Sequence, residues 1–166
     1  MAQVSEASQI RALAVSVSNR AAAGVYEDRS GPVLAELLRA AGCAVVEGPV
    51  VVPDGDPAEK ALRDAVAGGY DVVVTTGGTG LTPTDQTPEM TRRVVDREIP
   101  GIPEALRAAG AEAGVAASIL SRGVAGVAGR TLIVNLPGST GGARDGLAVL
   151  GPILSHAVSQ LRGGDH

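Results

Sequence analysis

The sequence predicts an α/β protein in which helices cover both faces of a mainly parallel sheet. Apolar strand-like runs alternate with helical segments along the chain, which is typical of parallel strands joined by crossover helices. Two of the runs, 72–74 and 132–136, are almost entirely apolar, as expected of central strands buried on both faces. Small-residue loops follow both runs, at the end of the strand where open α/β sheets bind ligands.

The composition indicates one domain with an aliphatic core. The 166 residues suffice for a single core and 45% of them are hydrophobic, but Tyr26 and Tyr70 are the only aromatic residues. Base stacking therefore has little to act on, and the formal net charge of -4 disfavours a general polyanion binder, so we expect no nucleic-acid partner. We expect a polar lead over 1–9, one domain over 10–162 and a tail over 163–166.

The cysteine count and the hydropathy pattern indicate a cytoplasmic protein. Cys43 is the only cysteine, so an intramolecular disulfide is excluded, and one cysteine with two histidines does not make a zinc site. The N-terminus lacks the pattern of a signal peptide, and no segment approaches about 18 continuous apolar residues, so we expect no membrane span. Cys43 leads an apolar run and is expected to be buried and inert.

The first half of the chain is predicted to form strand, helix, strand and helix. Residues 10–18 alternate apolar and small side chains as a strand does, and 30–42 have helical spacing that ends at a glycine. Residues 43–52 form the second predicted strand, which Gly48-Pro49 would bend or place near an edge of the sheet. Asp56 is predicted to be the N-cap of the next helix.

The second half begins with the buried strand at 72–74 and its glycine loop. Thr87 is then predicted to be the N-cap of a helix. The glycine-interrupted segment 118–127 could pair as an antiparallel edge strand. Helices are predicted over 88–95, 103–113 and 143–161, and one further buried strand is predicted over 131–136.

The loop Gly77-Gly78-Thr79-Gly80 has the features of a phosphate-binding loop. Because glycine lacks a Cβ, it can adopt positive φ and let backbone N–H groups converge on an anion. Asp85 follows on the same loop, and a carboxylate beside bound phosphates repels them unless a divalent cation lies between, which suggests Mg²⁺. An ordinary glycine turn is the alternative. A Walker A loop is excluded, because the only lysine is Lys60.

A second small-residue loop, Pro137-Gly138-Ser139, follows the last predicted strand. It places backbone N–H groups and the Ser139 hydroxyl at a helix N-terminus, where the helix dipole favours an anion, although such a sequence also makes ordinary turns. If the strands are parallel, both loops lie on one rim of the sheet. Ser18 and Arg20, after the first strand, and Asp54, after the second, would lie on the same rim.

Short motifs along the chain also resemble a known family. They are Val17-Ser18-Asn19-Arg20, Ala23-Gly24-Val25-Tyr26, Thr75-Thr76-Gly77-Gly78-Thr79-Gly80, Asp85, Thr87-Pro88-Glu89, Ile99-Pro100-Gly101, Leu120-Ser121-Arg122-Gly123 and Asn135-Leu136-Pro137-Gly138-Ser139. In this order they closely resemble the molybdopterin-binding domain family of molybdenum cofactor biosynthesis. The first two motifs resemble the Mog-type molybdopterin adenylyltransferases, relatives of the gephyrin G domain. The resemblance runs from about Leu13 to Leu161.

This resemblance implies a three-layer α/β/α fold, typically a homotrimer, which condenses molybdopterin with Mg-ATP to give adenylyl-molybdopterin and pyrophosphate. It also implies a possible hand-over of the product to a molybdenum insertase. By resemblance, Asp54 and Asp85 fall at the family's catalytic or Mg²⁺-associated carboxylates. The binding residues that it implies are Ser18, Arg20, Thr76, Gly77, Gly78, Thr79, Gly80, Pro137, Gly138 and Ser139.

Two positions depart from the family pattern. Many relatives carry Arg where this chain has Thr84, so one phosphate contact is either missing here or supplied elsewhere, for example by Arg20. Many relatives also carry an acid where this chain has Gly55. Two other functions stay open from the sequence: a molybdopterin-binding or scaffold protein without adenylyltransferase turnover, and a regulator that binds AMP or ATP alone.

Overall fold

A six-stranded sheet lies between two layers of helices in the computed structural model, which describes residues 9–164. Most of the predicted lead over 1–9 and half of the predicted tail over 163–166 lie outside the described residues. The sheet order is β2-β1-β3-β6-β5-β4. The strands are β1 Arg11–Val17, β2 Val45–Val52, β3 Val72–Thr76, β4 Arg97–Glu98, β5 Ala125–Ala128 and β6 Thr131–Leu136.

Four neighbouring strands are parallel, and their register brings their carboxyl ends level. β1 pairs in parallel with both β2 and β3, and β3 pairs in parallel with β6. Ser16 of β1 lies opposite Thr76 of β3, which lies opposite Leu136 of β6. The loops that leave these strands therefore begin side by side, which confirms the predicted shared rim.

The other two strands are antiparallel to their neighbours, as the α/β prediction with an antiparallel strand anticipated. β5 pairs antiparallel with β6, and the two-residue β4 pairs antiparallel with β5. The segment 118–127 was predicted to supply an antiparallel edge strand. Its strand, β5, is antiparallel as predicted, but it is not the edge of the sheet, because β4 pairs with its outer side. The segment over 116–120 is a short 3-10 helix rather than strand. The other edge is β2, as Gly48-Pro49 predicted.

Among residues 9–164, five α-helices lie between strands and a sixth follows the last strand. The short α1 was not predicted, and it forms because the Ser18 hydroxyl accepts a hydrogen bond from the backbone N–H of Ala21 at 3.1 Å and so caps it. The helices are α1 Asn19–Ala22, α2 Ser30–Ala40, α3 Asp56–Ala67, α4 Thr87–Val94, α5 Gly101–Glu112 and α6 Thr140–Leu161.

Alternate side chains of the central strands supply two separate cores. In β3, Val72 and Val74 pack with apolar residues of α2 and α6 on one face of the sheet. Val73 faces the other way and packs with residues of α3, among them Leu62. Because successive side chains of a strand point to opposite faces, the buried run needs helices on both sides. This arrangement is the three-layer α/β/α fold.

Two predicted helix caps are wrong by one residue. α3 begins at Asp56 and its N-cap is Gly55, which has a φ of 90° that glycine adopts readily. α4 begins at Thr87 and its N-cap is Gln86. In both cases the cap makes no side-chain hydrogen bond to its helix. The Asp54 carboxylate instead accepts hydrogen bonds from the backbone N–H groups of Gly55 and Gln86, at 2.7 and 2.8 Å.

Cys43 is buried, as predicted, and burial raises the pKa of its thiol to about 11, with the negative charge of Asp71 adding to the effect. Among the helices of residues 9–164, none combines the length and hydropathy needed to cross a bilayer.

We expect the Cys43 thiol to resist alkylation in the folded protein at neutral pH. A raised pKa leaves almost no thiolate at pH 7.5, and thiolate is the nucleophile. Iodoacetamide labelling followed by mass spectrometry should give slow modification without denaturant and rapid modification in urea. Rapid labelling of the folded protein would contradict the buried position.

Leu150 is fully buried in the core between α6 and the sheet, whereas Ile153 of the same helix is 38% exposed. Leu150→Ala should therefore lower the free energy of unfolding by about 2–5 kcal/mol, because it opens a cavity. The matched control Ile153→Ala should cost much less. Urea denaturation followed by circular dichroism measures both, and equal losses would argue against the observed packing of α6.

Candidate functional site

The carboxyl ends of β1, β3 and β6 form a rim on which two loops touch each other. The glycine loop, defined as residues 77–80, leaves β3, and the loop 137–139 leaves β6. The Thr76 hydroxyl donates a hydrogen bond to the Pro137 carbonyl at 2.8 Å, and the Gly77 N–H donates to the Leu136 carbonyl at 3.0 Å. The two small-residue loops of the sequence are thus one structural unit.

Gly77 lies where three backbone segments meet. Its φ is 101°, in the left-handed region that favours glycine, and a Cβ on it would collide with the carbonyl oxygen of Val17 at the end of β1. On the opposite side, a Cβ on Gly138 would come within 3.2 Å of the Gly77 α-carbon. Close backbone approach, rather than a side chain, therefore builds this part of the rim.

Asp54 joins the end of β2 to the start of α4. Besides its bonds to Gly55 and Gln86, its backbone N–H donates to the Asn19 side-chain oxygen at 2.9 Å. A Cβ on Gly78 would collide with Asp54 Oδ2, so this carboxylate lies directly against the glycine loop. The carboxylate of Asp85 lies against the same loop, since a Cβ on Gly80 would come within 2.7 Å of Asp85 Oδ2.

Arg122 holds the other side of the glycine loop. Its Nε donates to the Gly80 carbonyl and its Nη2 to the Asp85 carbonyl, both at 2.8 Å. Its Nη1 pairs with both carboxylate oxygens of Glu89, at 3.0 and 2.8 Å, and this bond holds the pKa of Glu89 below its usual value. No role for Arg122 was predicted, because nothing in a local pattern shows which distant carbonyls a side chain reaches.

Two cavities open on either side of the glycine loop. The β1-side cavity has a volume of about 430 Å³, and its lining includes Ser18, Arg20 and Asp54. The α6-side cavity has a volume of about 600 Å³, and its lining includes Thr79 and Ser139. Both volumes are in the range of small-molecule sites. The residues that line both cavities are Gly78, Asp85 and Gly138.

All twelve predicted site residues line one or both cavities. The β1-side cavity takes Ser18, Arg20, Asp54, Thr76 and Gly77. The α6-side cavity takes Thr79, Gly80, Pro137 and Ser139. The structure therefore brings Asp54, Asp85 and Ser139 to one rim.

One hydroxyl and one carboxylate of the cavity linings form hydrogen bonds within the fold. The Ser139 hydroxyl accepts from the Gly142 N–H at 2.9 Å and caps α6, so it keeps its own proton to donate. Asp28, which sequence reasoning left out, lines the β1-side cavity and accepts hydrogen bonds from the Ser16 hydroxyl and the Gly31 N–H. Both features follow from the turns that precede α2 and α6.

The charge in the cavities is predominantly negative. Arg20 is the one cation among the described residues that line the β1-side cavity, beside the carboxylates of Asp28, Asp54 and Asp85. The described lining of the α6-side cavity contains Asp85 and Asp145 and no cation. Thr84 lines the β1-side cavity and adds no charge there. Among the described lining side chains only Arg20 could offset the charge of a phosphorylated ligand, so backbone N–H groups would have to supply further donors.

A buried polar network supports the rim from below. The Asn135 amide donates to the hydroxyls of Thr75 and Thr91, each at 3.0 Å, and its oxygen accepts from the Val124 N–H at 3.1 Å. The amide thus connects β6 to β3, to α4 and to the segment before β5. A network with all its partners in place fixes one arrangement of these elements.

The chain matches the sequence model of the family described as probable molybdopterin binding domain over residues 13–156. The match covers most of the chain, including both loops and the carboxylates of the rim. The chain belongs to this family.

Relatives of the molybdopterin-binding family include proteins of different length. A molybdenum cofactor biosynthesis bifunctional protein of Synechococcus elongatus is 37% identical over 155 residues, which are 93% of this chain and 48% of the relative. The chain thus spans about half the length of that relative. A molybdopterin adenylyltransferase of Helicobacter pylori is 37% identical over 153 residues, which are 90% of this chain and 86% of the relative.

Solved structures of the family have the same fold. The molybdopterin biosynthesis Mog protein of Mycobacterium ulcerans is 52% identical and superposes with a TM-score of 0.86, over 92% of this chain and 99% of that one. The chain therefore shares its overall fold with this solved structure.

Gly77→Ala should lower the free energy of unfolding by about 1–3 kcal/mol, because alanine is strained at positive φ and its Cβ meets the Val17 carbonyl. Gly101→Ala is the matched control, since an added Cβ there meets nothing within 4 Å and the residue opens α5. We expect that control to be neutral or to stabilise by up to about 1 kcal/mol. Urea denaturation of both variants checks the difference, and an equally stable Gly77→Ala protein would contradict the loop geometry.

Proposed function

We propose that the chain is a molybdopterin adenylyltransferase, which condenses molybdopterin with Mg-ATP to adenylyl-molybdopterin and pyrophosphate. The observation that carries this proposal is the pair of cavities that meet at the glycine loop and Asp85. Two ligands held on either side of one loop would have their phosphates at the shared wall. The name of the Helicobacter pylori relative, molybdopterin adenylyltransferase, supports the same activity.

The proposed reaction is an adenylyl transfer, a displacement at the α-phosphorus of ATP. A terminal phosphate oxygen of molybdopterin attacks that phosphorus, the bond to the bridging oxygen of the β-phosphate breaks, and pyrophosphate leaves with the bonding electron pair. Little covalent chemistry falls to the protein, so its work is to align the two phosphates and offset their charge. The backbone N–H groups of residues 77–80 and of the α6 N-terminus suit that work.

Asp54 and Asp85 are the residues that we propose would hold Mg²⁺. Carboxylate oxygens suit this ion, and no hydrogen-bond donor from residues 9–164 engages the Asp85 carboxylate. No group of three or more acidic, histidine or cysteine side chains in that part of the chain could bind a metal by itself, so phosphate and water oxygens would complete the coordination. When bound, Mg²⁺ would offset phosphate charge.

The remaining proposals concern assembly and context. We propose that residues 10–162 act as one molybdopterin-binding domain in the cytoplasm, that it forms a homotrimer, and that its product passes to a molybdenum insertase. The bifunctional relatives, about twice as long as the matched region, support close coupling to a second activity. Sedimentation equilibrium would test the trimer, which should give three times the 16.5 kDa chain mass.

Asp85→Asn should lower pyrophosphate release from ATP and molybdopterin by at least about 100-fold, because it removes the carboxylate shared by both cavities and weakens Mg²⁺ binding. The product is detected by mass as the adenylylated pterin. Asp56→Asn is the control, since that side chain is 95% exposed and lies outside both cavities.

The urea midpoint of Asp85→Asn should stay close to that of the parent protein. Full activity of this variant would remove Asp85 from the reaction. Pterin binding by the parent protein without adenylylation would instead favour a molybdopterin-binding or scaffold role.

A further inference from the structure

One guanidinium group fixes both ends of the segment that carries Asp85. The Arg122 side chain bonds the carbonyls of Gly80 and Asp85, and its backbone N–H donates to the Thr79 carbonyl at 2.8 Å. The segment between these carbonyls, which we name the tip, is residues 81–84, and all four are exposed. Arg122 therefore supports the two places where the tip joins the rest of the rim.

The tip has few other contacts to hold it. One backbone bond ties it to the residue that follows, from the Asp85 N–H to the Thr82 carbonyl at 2.9 Å, and on its C-terminal side the Gln86 N–H donates to Asp54. Exposed segments with few buried contacts are the ones that open locally at low free energy. Loss of the Arg122 side chain would thus remove the bonds to the Gly80 and Asp85 carbonyls, while the backbone bond to Thr79 and the Gln86–Asp54 bond would remain.

Arg122 does not belong to either cavity and brings no unpaired charge to the site. It is not among the residues that line the β1-side or the α6-side cavity. Its Nη1 is paired with both oxygens of Glu89, so the positive charge is largely balanced within the protein. These contacts therefore do not place Arg122 to neutralise a substrate phosphate directly.

We propose that Arg122 is a positioning residue, which acts through the carbonyls of Gly80 and Asp85 to fix the Asp85 carboxylate at the junction of the two cavities. The role depends on the shape of the group more than on its charge. A guanidinium offers donors in a rigid plane that can reach two carbonyls and a carboxylate at once, whereas an ammonium is a point donor on a flexible stem. This inference rests on the proposed adenylyltransferase function for its kinetic consequence, but not for its structural one.

The first test compares Arg122→Lys and Arg122→Gln in the adenylylation assay. Both should lower kcat by about 10–100-fold, with the KM for ATP changed by less than about threefold, because a carboxylate displaced by about 1 Å slows the chemical step more than substrate binding. Glu89→Gln keeps both carbonyl contacts and should lower kcat less. A lysine variant with the parent kcat would overturn the proposal, and so would a large rise in KM at unchanged kcat.

Arg162→Gln is the matched control. Arg162 also pairs a carboxylate and a backbone carbonyl, those of Asp71 and Gln9, but at the opposite end of the sheet from the glycine loop. This variant should keep the parent kcat even if it loses some stability. An equal loss of kcat in Arg162→Gln would overturn the proposal, because general destabilisation would then explain the effect of Arg122.

The second test needs no substrate. Amide hydrogen exchange measured by mass spectrometry on a peptide covering residues 79–86 should be about tenfold or more faster in Arg122→Gln than in the parent protein. The gain should come from the Asp85 and Gln86 N–H groups, which donate hydrogen bonds in this segment, because loss of the guanidinium lowers the free energy of opening it. Exchange in β3 and β6 should not change. Unchanged exchange over 79–86 would overturn the positioning role. If the parent protein forms no adenylylated pterin, the proposed function is wrong. The exchange measurement would still decide whether Arg122 fixes the segment that carries Asp85.

Discussion

The close approach of three backbones at Gly77 is the constraint on which the rest of the site depends. The ends of β1, β3 and β6 are level, and the glycine loop fits between the Val17 carbonyl and Gly138 without room for a Cβ at Gly77. This packing makes the loop a wall with a cavity on each side. A loop with side chains at these positions would separate the strands and merge or fill the cavities.

Support for this wall comes from polar contacts that reach across the chain. Asn135 connects the strands below the rim, Asp54 connects β2 to α4, and Arg122 connects the segment before β5 to the loop. Each contact joins elements more than 30 residues apart in sequence. A carboxylate or amide with all its partners in place fixes the relative position of the elements that it joins. The position of Asp85 depends on these contacts, because its own carboxylate receives no hydrogen bond from residues 9–164.

The electrostatics of the rim distinguish it from sites that bind anions through basic side chains. The two cavities together present Asp28, Asp54, Asp85 and Asp145 against Arg20 alone among their described lining residues. Besides Arg20, the backbone N–H groups of the glycine loop and of the α6 N-terminus are available to an anion there.

The sequence by itself determined the layer architecture and the residues of the rim. Continuous apolar runs require cover on both faces, and small-residue loops after parallel strands share an edge of the sheet. The layers and the placement of the twelve predicted site residues on one rim therefore followed from local pattern and from the family resemblance. The tertiary structure alone decided the caps at Gly55 and Gln86, the outer position of β4 and the contacts of Arg122. These depend on which distant groups come within hydrogen-bond distance after packing, and that information is absent from any short window of sequence.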